Sequence, residues 1–213
     1  MDEFEMKKYC EFDNKDNYYL YPGTDVLKNK YDIKTNNKLD KYEKIICSIE
    51  LMDMQKNPFC CDFDYNHYLK IHKKLFGKLY FFAGEIRKID TLKPNTYFCR
   101  KEFVSKNLHS TLIEMKEKLT NVTNEEEYVY LLSKYYLDLN FIHPFREGNG
   151  RTLREFIRQY VEYLNKVIDI GEYKFVISNF DKDNLLKHTI SDDVYKVEEE
   201  FKKAVVKTKE KTR

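Results

Sequence analysis

The chain has no tryptophan, and only 6 glycines and 4 prolines among 213 residues. That scarcity of turn residues argues against a β fold built on many tight turns and favours helices. The five cysteines (Cys10, Cys47, Cys60, Cys61 and Cys99) are odd in number, lack regular spacing and include no Cys-x-x-Cys pair. Neither a disulfide framework nor a zinc site is expected. No apolar run approaches the roughly 18–20 residues of a membrane span. The first five residues, Met1 to Glu5, hold neither the basic region nor the apolar run of a signal peptide. The expectation is a cytoplasmic protein with reduced thiols and no membrane partner. A surplus of one charge is also missing. Lys+Arg number 38 against 36 Asp+Glu, a net charge of +2, and with no basic stripe nucleic acid is not an expected partner.

What is present is apolar surface and rings. Apolar residues make up 42% of the chain, enough for a core, and 18 tyrosines with 15 phenylalanines carry much of it. The length suits one domain with short appendages. Residues 1 to 17 are polar and read as a loose arm, 18 to 190 as the domain, and 191 to 213 as a last helix with a charged tail that frays. An aromatic patch from Tyr18 to Tyr21 should pack on the body, and Val26 to Ile33 reads as a short helix. From Leu39 to Gln55, the spacing of Tyr42, Ile45, Ile46, Ile49 and Met52 predicts a helix with that face inward. Tyr65 to Phe76 reads as a second helix, with His72 as a packed or rim residue rather than a catalyst. A hairpin is expected over 86 to 99, turning at Lys93-Pro94-Asn95-Thr96. Helices follow over 101 to 119 (Val104, Leu108, Leu112, Met115 and Leu119 inward) and from Thr123-Asn124 to about Leu139. Asn179 to His188 reads as another, and Ser191 as the cap of the last.

One stretch stands apart: His143-Pro144-Phe145-Arg146-Glu147-Gly148-Asn149-Gly150-Arg151-Thr152-Leu153-Arg154. Pro144 disfavours helix at His143, so the preceding helix should stop there. Gly148 and Gly150 permit backbone conformations closed to other residues and let a ligand approach the main chain. Leu153, Phe156, Ile157, Tyr160, Val161 and Leu164 then recur at helical spacing. The exposed amides and positive dipole end of that helix start suit an anion. Arg151 and Arg154 share a helix face at the wrong end for cations unless an anion sits there, and guanidinium forks suit phosphate oxygens. Glu147 could hold magnesium bridging those oxygens, Asn149 could orient a phosphoryl oxygen, and His143 could be a general base. Each feature alone has a bland explanation; it is their joint occurrence that reads as a nucleotide phosphate site beside a base.

The stretch resembles the Fic family signature, His-x-Phe-x-(Asp/Glu)-Gly-Asn-Gly-Arg-x-x-Arg, with every specified position filled. The resemblance implies an all-α fold with a short β-hairpin flap over the active site. It implies a protein adenylyltransferase that moves AMP from ATP, with Mg2+, onto a hydroxyl of a target protein. His143 would deprotonate the Ser, Thr or Tyr; Phe145 would anchor the loop; Glu147 would bind magnesium. Gly148, Asn149 and Gly150 would form the anion hole, and Arg151 and Arg154 would hold the distal phosphates. In the flap, Lys93, Thr96 and Tyr97 would face nucleotide or target. Phe82-Ala83-Gly84-x-x-Arg87 is a second likeness. A third, Tyr21-Pro22-Gly23-Thr24-Asp25-Val26-Leu27-Lys28-Asn29-Lys30, is similar to the extension of Fic proteins encoded with a small antitoxin. The family's inhibitory pattern, (Ser/Thr)-x-x-x-Glu-(Gly/Asn), finds no match: Thr123-x-x-x-Glu127 continues with Tyr128. A small inhibitory protein acting in trans is therefore the expected brake, and a bacterial toxin the expected setting. Gly150 stands where relatives that transfer the γ-phosphate have Lys. Two alternatives remain at this level: a UMP or phosphocholine transferase of the same fold, or a catalytically silent ATP-binding module.

Overall fold

A computed structural model describes residues 10–11, 18–59, 62–93, 96–191 and 193–209. The chain divides into two compact units, Met1–Ser105 with Pro144–Thr152, and Lys106–His143 with Leu153–Arg213. As expected, the fold is mostly helical with a small hairpin.

In the first unit, α1 (Asn36–Lys56) packs against α2 (Tyr65–Phe76). Asp64 caps α2 by accepting from the His67 N–H at 2.8 Å. The expected inward face of α1 is reversed. Tyr42, Ile45, Ile49 and Met52 are exposed, Ile45 to 60%, and Ile46 is only partly covered. Leu39, Glu43, Cys47, Glu50 and Met54 are the buried positions. The reason is pairing across the unit. Glu50 meets Lys74 at 2.9 Å and Lys78 at 2.5 Å, and Glu43 meets Arg151. Carboxylates matched this way can be buried where unmatched ones could not.

Of the aromatic patch only Tyr19 is buried as expected; Tyr18 is exposed and Tyr21 partly covered. Tyr19 is buried edge-on to Phe82, at 5.1 Å between ring centroids, and its hydroxyl accepts from the Lys88 N–H at 2.9 Å. The short helix expected over Val26 to Ile33 is not there. Buried Asn29 donates to the Leu27 and Ile33 carbonyls (3.0 and 2.8 Å) and accepts from the Tyr31 and Ile33 amides. Those bonds take the backbone groups a helix would have needed.

The hairpin forms from β2 (Thr91–Lys93) and β3 (Thr96–Tyr97), antiparallel, with Leu92 opposite Tyr97 and Lys93 opposite Thr96. Pro94 and Asn95 of its turn lie outside the described residues. Within the stretch read as an arm, β1 (Cys10–Glu11) adds to the β2 edge, so the sheet order is β1-β2-β3. Arg87, fully buried, pins the base of this hairpin. It donates to the Ile89 carbonyl at 2.7 Å and to the Cys99 carbonyl on the other side, beside Asp90 at 3.6 Å. Asp90 in turn accepts from the Lys101 N–H at 2.7 Å, at the start of α3 (Lys101–Thr120).

In the second unit, Leu108, Leu112, Met115 and Leu119 of α3 are buried as read. Asn124 caps α4 (Glu125–Ile142) by accepting from the Glu127 N–H at 2.8 Å. The helical stretch after residue 150 belongs to α5 (Asn149–Leu164). Beyond it, the chain departs from expectation. Residues 167–171 lead into a strand, β4 (Glu172–Phe175). After α6 (Lys182–Ile190) and α7 (Val194–Ala204), the tail forms β5 (Val205–Lys209), antiparallel to β4. Val205, within the stretch read as a last helix with a charged tail, thus begins a strand. Asp193, not Ser191, caps α7, accepting from the Lys196 N–H at 3.2 Å. α4 packs on α7, and Tyr136, Phe175, Phe180 and Phe201 form the ring cluster there.

Candidate active site

The singled-out stretch begins at the end of α4 and runs into α5. In the second unit, His143 is the C-cap of α4 in the left-handed region (φ 47°, ψ 60°). A side chain other than glycine held there costs energy that packing must offset. His143 is buried, and its Nδ1 is 3.0 Å from the Asn140 carbonyl. A carbonyl only accepts, so Nδ1 carries a proton, and Nε2 is the ring atom that would act as a base. Arg154, in the same unit, hydrogen-bonds the hydroxyl of buried Tyr136. Burial pushes that phenol up, and the Arg154 charge opposes the shift.

In the first unit, Pro144 to Thr152 form a tightly bound loop and the first turn of α5. Asn149 closes it. Its Oδ1 accepts from the Phe145 N–H at 2.9 Å and its Nδ2 donates to the Phe145 carbonyl at 2.7 Å. The expectation that Asn149 orients a phosphoryl oxygen meets a different arrangement, in which both ends of its amide staple the loop. Gly148 is the position that requires glycine, with φ +81° and the Phe76 ring 2.3 Å from where a Cβ would lie. Gly150 falls inside α5, which starts at Asn149, two residues earlier than the spacing suggested. The amides of that first turn have no acceptor within the helix.

Glu147 is nearly buried. Its Oε1 accepts from the Gly148 N–H at 2.9 Å and lies 3.4 Å from Arg151 Nη2. Arg151 also pairs with Glu43, sits 3.8 Å from the Cys47 sulfur, and stacks 4.8 Å over Phe76. Burial and then the Glu147 charge raise the Glu43 carboxyl, against the pull of Arg151. Burial pushes the Cys47 thiol up to about 12. Lys93, Thr96 and Tyr97 stand on the paired hairpin strands.

Four supports of this loop stand elsewhere in the first unit; His72 is the packed residue expected, but its bonds to the loop were not foreseen. His72 donates from Nε2 to the Glu147 carbonyl (2.9 Å), accepts at Nδ1 from the Gly84 N–H (2.8 Å), and stacks on Phe145 at 3.7 Å. Arg87 gives its backbone N–H to the Pro144 carbonyl at 2.9 Å. Glu43 holds Arg151, and the Tyr80 hydroxyl donates to Glu43. The signal for Arg87 was its place in the Phe-Ala-Gly-x-x-Arg segment. For Glu43 it was the helical spacing with Leu39, Cys47, Glu50 and Met54.

His72 gives a pH prediction. Burial lowers its pKa to about 3. The unfolded chain takes a proton near 6.5 that the native ring refuses, so stability falls as pH drops through that window. The expected loss is about 2 kcal/mol between pH 6.5 and 5. Urea denaturation at pH 7 and pH 5 should show it in the wild type, and the difference should change by about that amount in His72→Gln, the raised Glu43 carboxyl still contributing its own.

These features define a class: a helical domain whose buried histidine directly precedes a glycine-bearing loop and the N-terminus of a helix. Residues 62–161 match the Fic/DOC family. A probable protein adenylyltransferase, y4lH of Sinorhizobium fredii, is 31% identical over 151 residues, covering 70% of this chain and 77% of that protein. The protein adenylyltransferase VbhT of Bartonella schoenbuchensis is 34% identical over 155 residues, which are 72% of this chain but only 32% of that longer protein. Among solved structures, the BepC protein of Bartonella tribocorum with bound AMPPNP superposes with a TM-score of 0.75 at 23% identity, over 90% of this chain and 97% of the other. The chain belongs to the Fic/DOC family.

Proposed function

We propose that the protein is an adenylyltransferase that transfers AMP from ATP to a hydroxyl side chain of another protein. The observation that carries this is the His143 ring, held through Nδ1 so that Nε2 would act as the base, and followed without interruption by the loop into α5. In the proposed reaction Nε2 takes the proton of a Ser, Thr or Tyr hydroxyl. The oxygen attacks the α-phosphorus, the bond to the β-phosphate oxygen breaks, and pyrophosphate leaves. The first-turn amides of α5 receive phosphoryl oxygens, and Arg151 and Arg154 meet the distal phosphates. Lys93, Thr96 and Tyr97 are proposed on the nucleotide or target side of the hairpin.

Magnesium fits this site only as a shared ion. No group of three or more His, Cys, Asp or Glu side chains able to hold a metal occurs among the described residues. Glu147 offers one nearly buried carboxylate, and one carboxylate plus phosphates is what magnesium usually takes. When bound it would supply charge neutralisation between phosphate oxygens.

We further infer inhibition in trans by a small helical protein whose glutamate competes for Arg154, and a toxin role under that control. The support is the Tyr21 to Lys30 segment and the unmatched inhibitory pattern. No helix among the described residues is long and apolar enough to cross a membrane, and a cytoplasmic location is part of the same proposal.

One experiment tests both parts: bacterial lysate incubated with ATP labelled at the α- or the γ-phosphate, with and without the partner encoded beside the gene. Label on a protein from α-labelled ATP alone, lowered by the partner and restored when the partner's glutamate becomes glycine, is the expected result. Label from the γ-phosphate, or transfer from a UMP or phosphocholine donor instead, would overturn AMP transfer. Undiminished labelling in the partner's presence would overturn the brake.

A further inference from the structure

Glu43 is an unusual residue to find in the buried face of α1. A buried ion pair contributes little to stability compared with apolar groups of the same shape, so this carboxylate calls for a role beyond packing. Both of its oxygens are committed within the first unit. Oε1 pairs with Arg151 Nη2, and Oε2 accepts from the Tyr80 hydroxyl. Tyr80 is itself buried between Phe76 and Phe82, with ring centroids at 6.2 and 4.9 Å, so the hydroxyl arrives from a fixed ring. On its other sides the Arg151 guanidinium rests over Phe76, with Cys47 beside Nη1 and Glu147 at 3.4 Å from Nη2. Neighbours on α1 and α2, together with Tyr80, thus fix this arginine. An unheld arginine carries about 2 kcal/mol of rotamer entropy that a ligand must overcome. A guanidinium already held in place spares the ligand that cost.

We propose that Glu43, steadied by the Tyr80 hydroxyl, is the positioning residue for Arg151, presetting its guanidinium for the phosphates of the nucleotide. The inference rests on the reading that those phosphates bind at the start of α5. Glu43 touches neither substrate nor reacting atoms; it acts through Arg151.

The test must separate orientation from charge. Glu43→Asp keeps the charge but withdraws it by one methylene. Tyr80→Phe keeps both charges and removes only the anchoring hydroxyl. By isothermal titration with Mg-ATP, Kd is expected to rise about tenfold in Glu43→Asp and about threefold in Tyr80→Phe. In an Arg151→Ala background neither change should add anything. A second readout needs no nucleotide. The Arg151 Nε–Hε resonance should be sharp and slow to exchange in the wild type, and broadened in Glu43→Asp. If Glu43→Asp folds poorly, Tyr80→Phe carries the same comparison. Wild-type affinity in the folded variants, an equal loss with and without Arg151, or an unchanged Arg151 resonance would overturn the positioning role. A wild type that binds no ATP but shows the Arg151 response would keep Glu43 as the arginine's holder and overturn the nucleotide reading instead.

Discussion

Replacing His143 by alanine is expected to lower α-label transfer by about 10²- to 10⁴-fold, the usual contribution of a positioned acid–base group. Folding should suffer far less. The substitution deletes the hydrogen bond to the Asn140 carbonyl, worth about 1 kcal/mol, along with the packing of the buried ring. It also leaves an alanine in the left-handed region, where His143 already stands. His143→Gly supplies the control. Glycine adopts that backbone freely, so this variant should match or exceed the alanine variant in melting temperature and be equally inactive. Activity surviving in either purified variant would remove His143 from the proposed mechanism. Loss of activity matched by loss of folding in both would make it a capping residue only.

Gly148→Ala should be the most damaging single methyl in the loop. At φ +81° an alanine pays about 1–2 kcal/mol for the left-handed backbone. Its Cβ would also lie 2.3 Å from the Phe76 ring, an overpacking cost of about 1–3 kcal/mol. Chemical denaturation should therefore show a loss of roughly 2–5 kcal/mol, the sum of those two costs. The two parts are separable. Adding Phe76→Leu should recover some of the steric part in the double variant, while the backbone part persists. If Gly148→Ala alone is as stable as the wild type, the loop relaxes easily and its tight geometry carries no functional weight.

The loop was legible in the sequence because its signal is local: twelve consecutive residues carry the proposed base, the carboxylate, the turn and the arginines. The helices were legible where apolar periodicity matched burial, as at Val104, Leu108, Leu112, Met115 and Leu119. α1 misled because its apolar stripe points outward. Its buried face carries Glu43 and Glu50, whose partners Arg151, Lys74 and Lys78 lie 24 or more residues away in the chain. A charge reads as a surface residue until its partner is known. The β4–β5 pair was missed for the same reason. Val205–Lys209 has no local sign of order, and its strand exists only because Glu172–Phe175 lies beside it. Asn149 was legible as a loop residue, but its two amide bonds to Phe145 were not, since nothing local names that partner.

That last arrangement has a kinetic consequence. Asn149 and Phe145 close a ring through two hydrogen bonds, buried from water. A loop tied to itself in this way keeps its shape whether or not anything occupies the adjoining helix start. If the proposed nucleotide binds there, it would exchange on a standing template, with no refolding step to slow either arrival or departure. On the proposed reaction, the pace of repeated turnover would fall instead to steps outside the loop, among them the arrival of the protein that brings the hydroxyl.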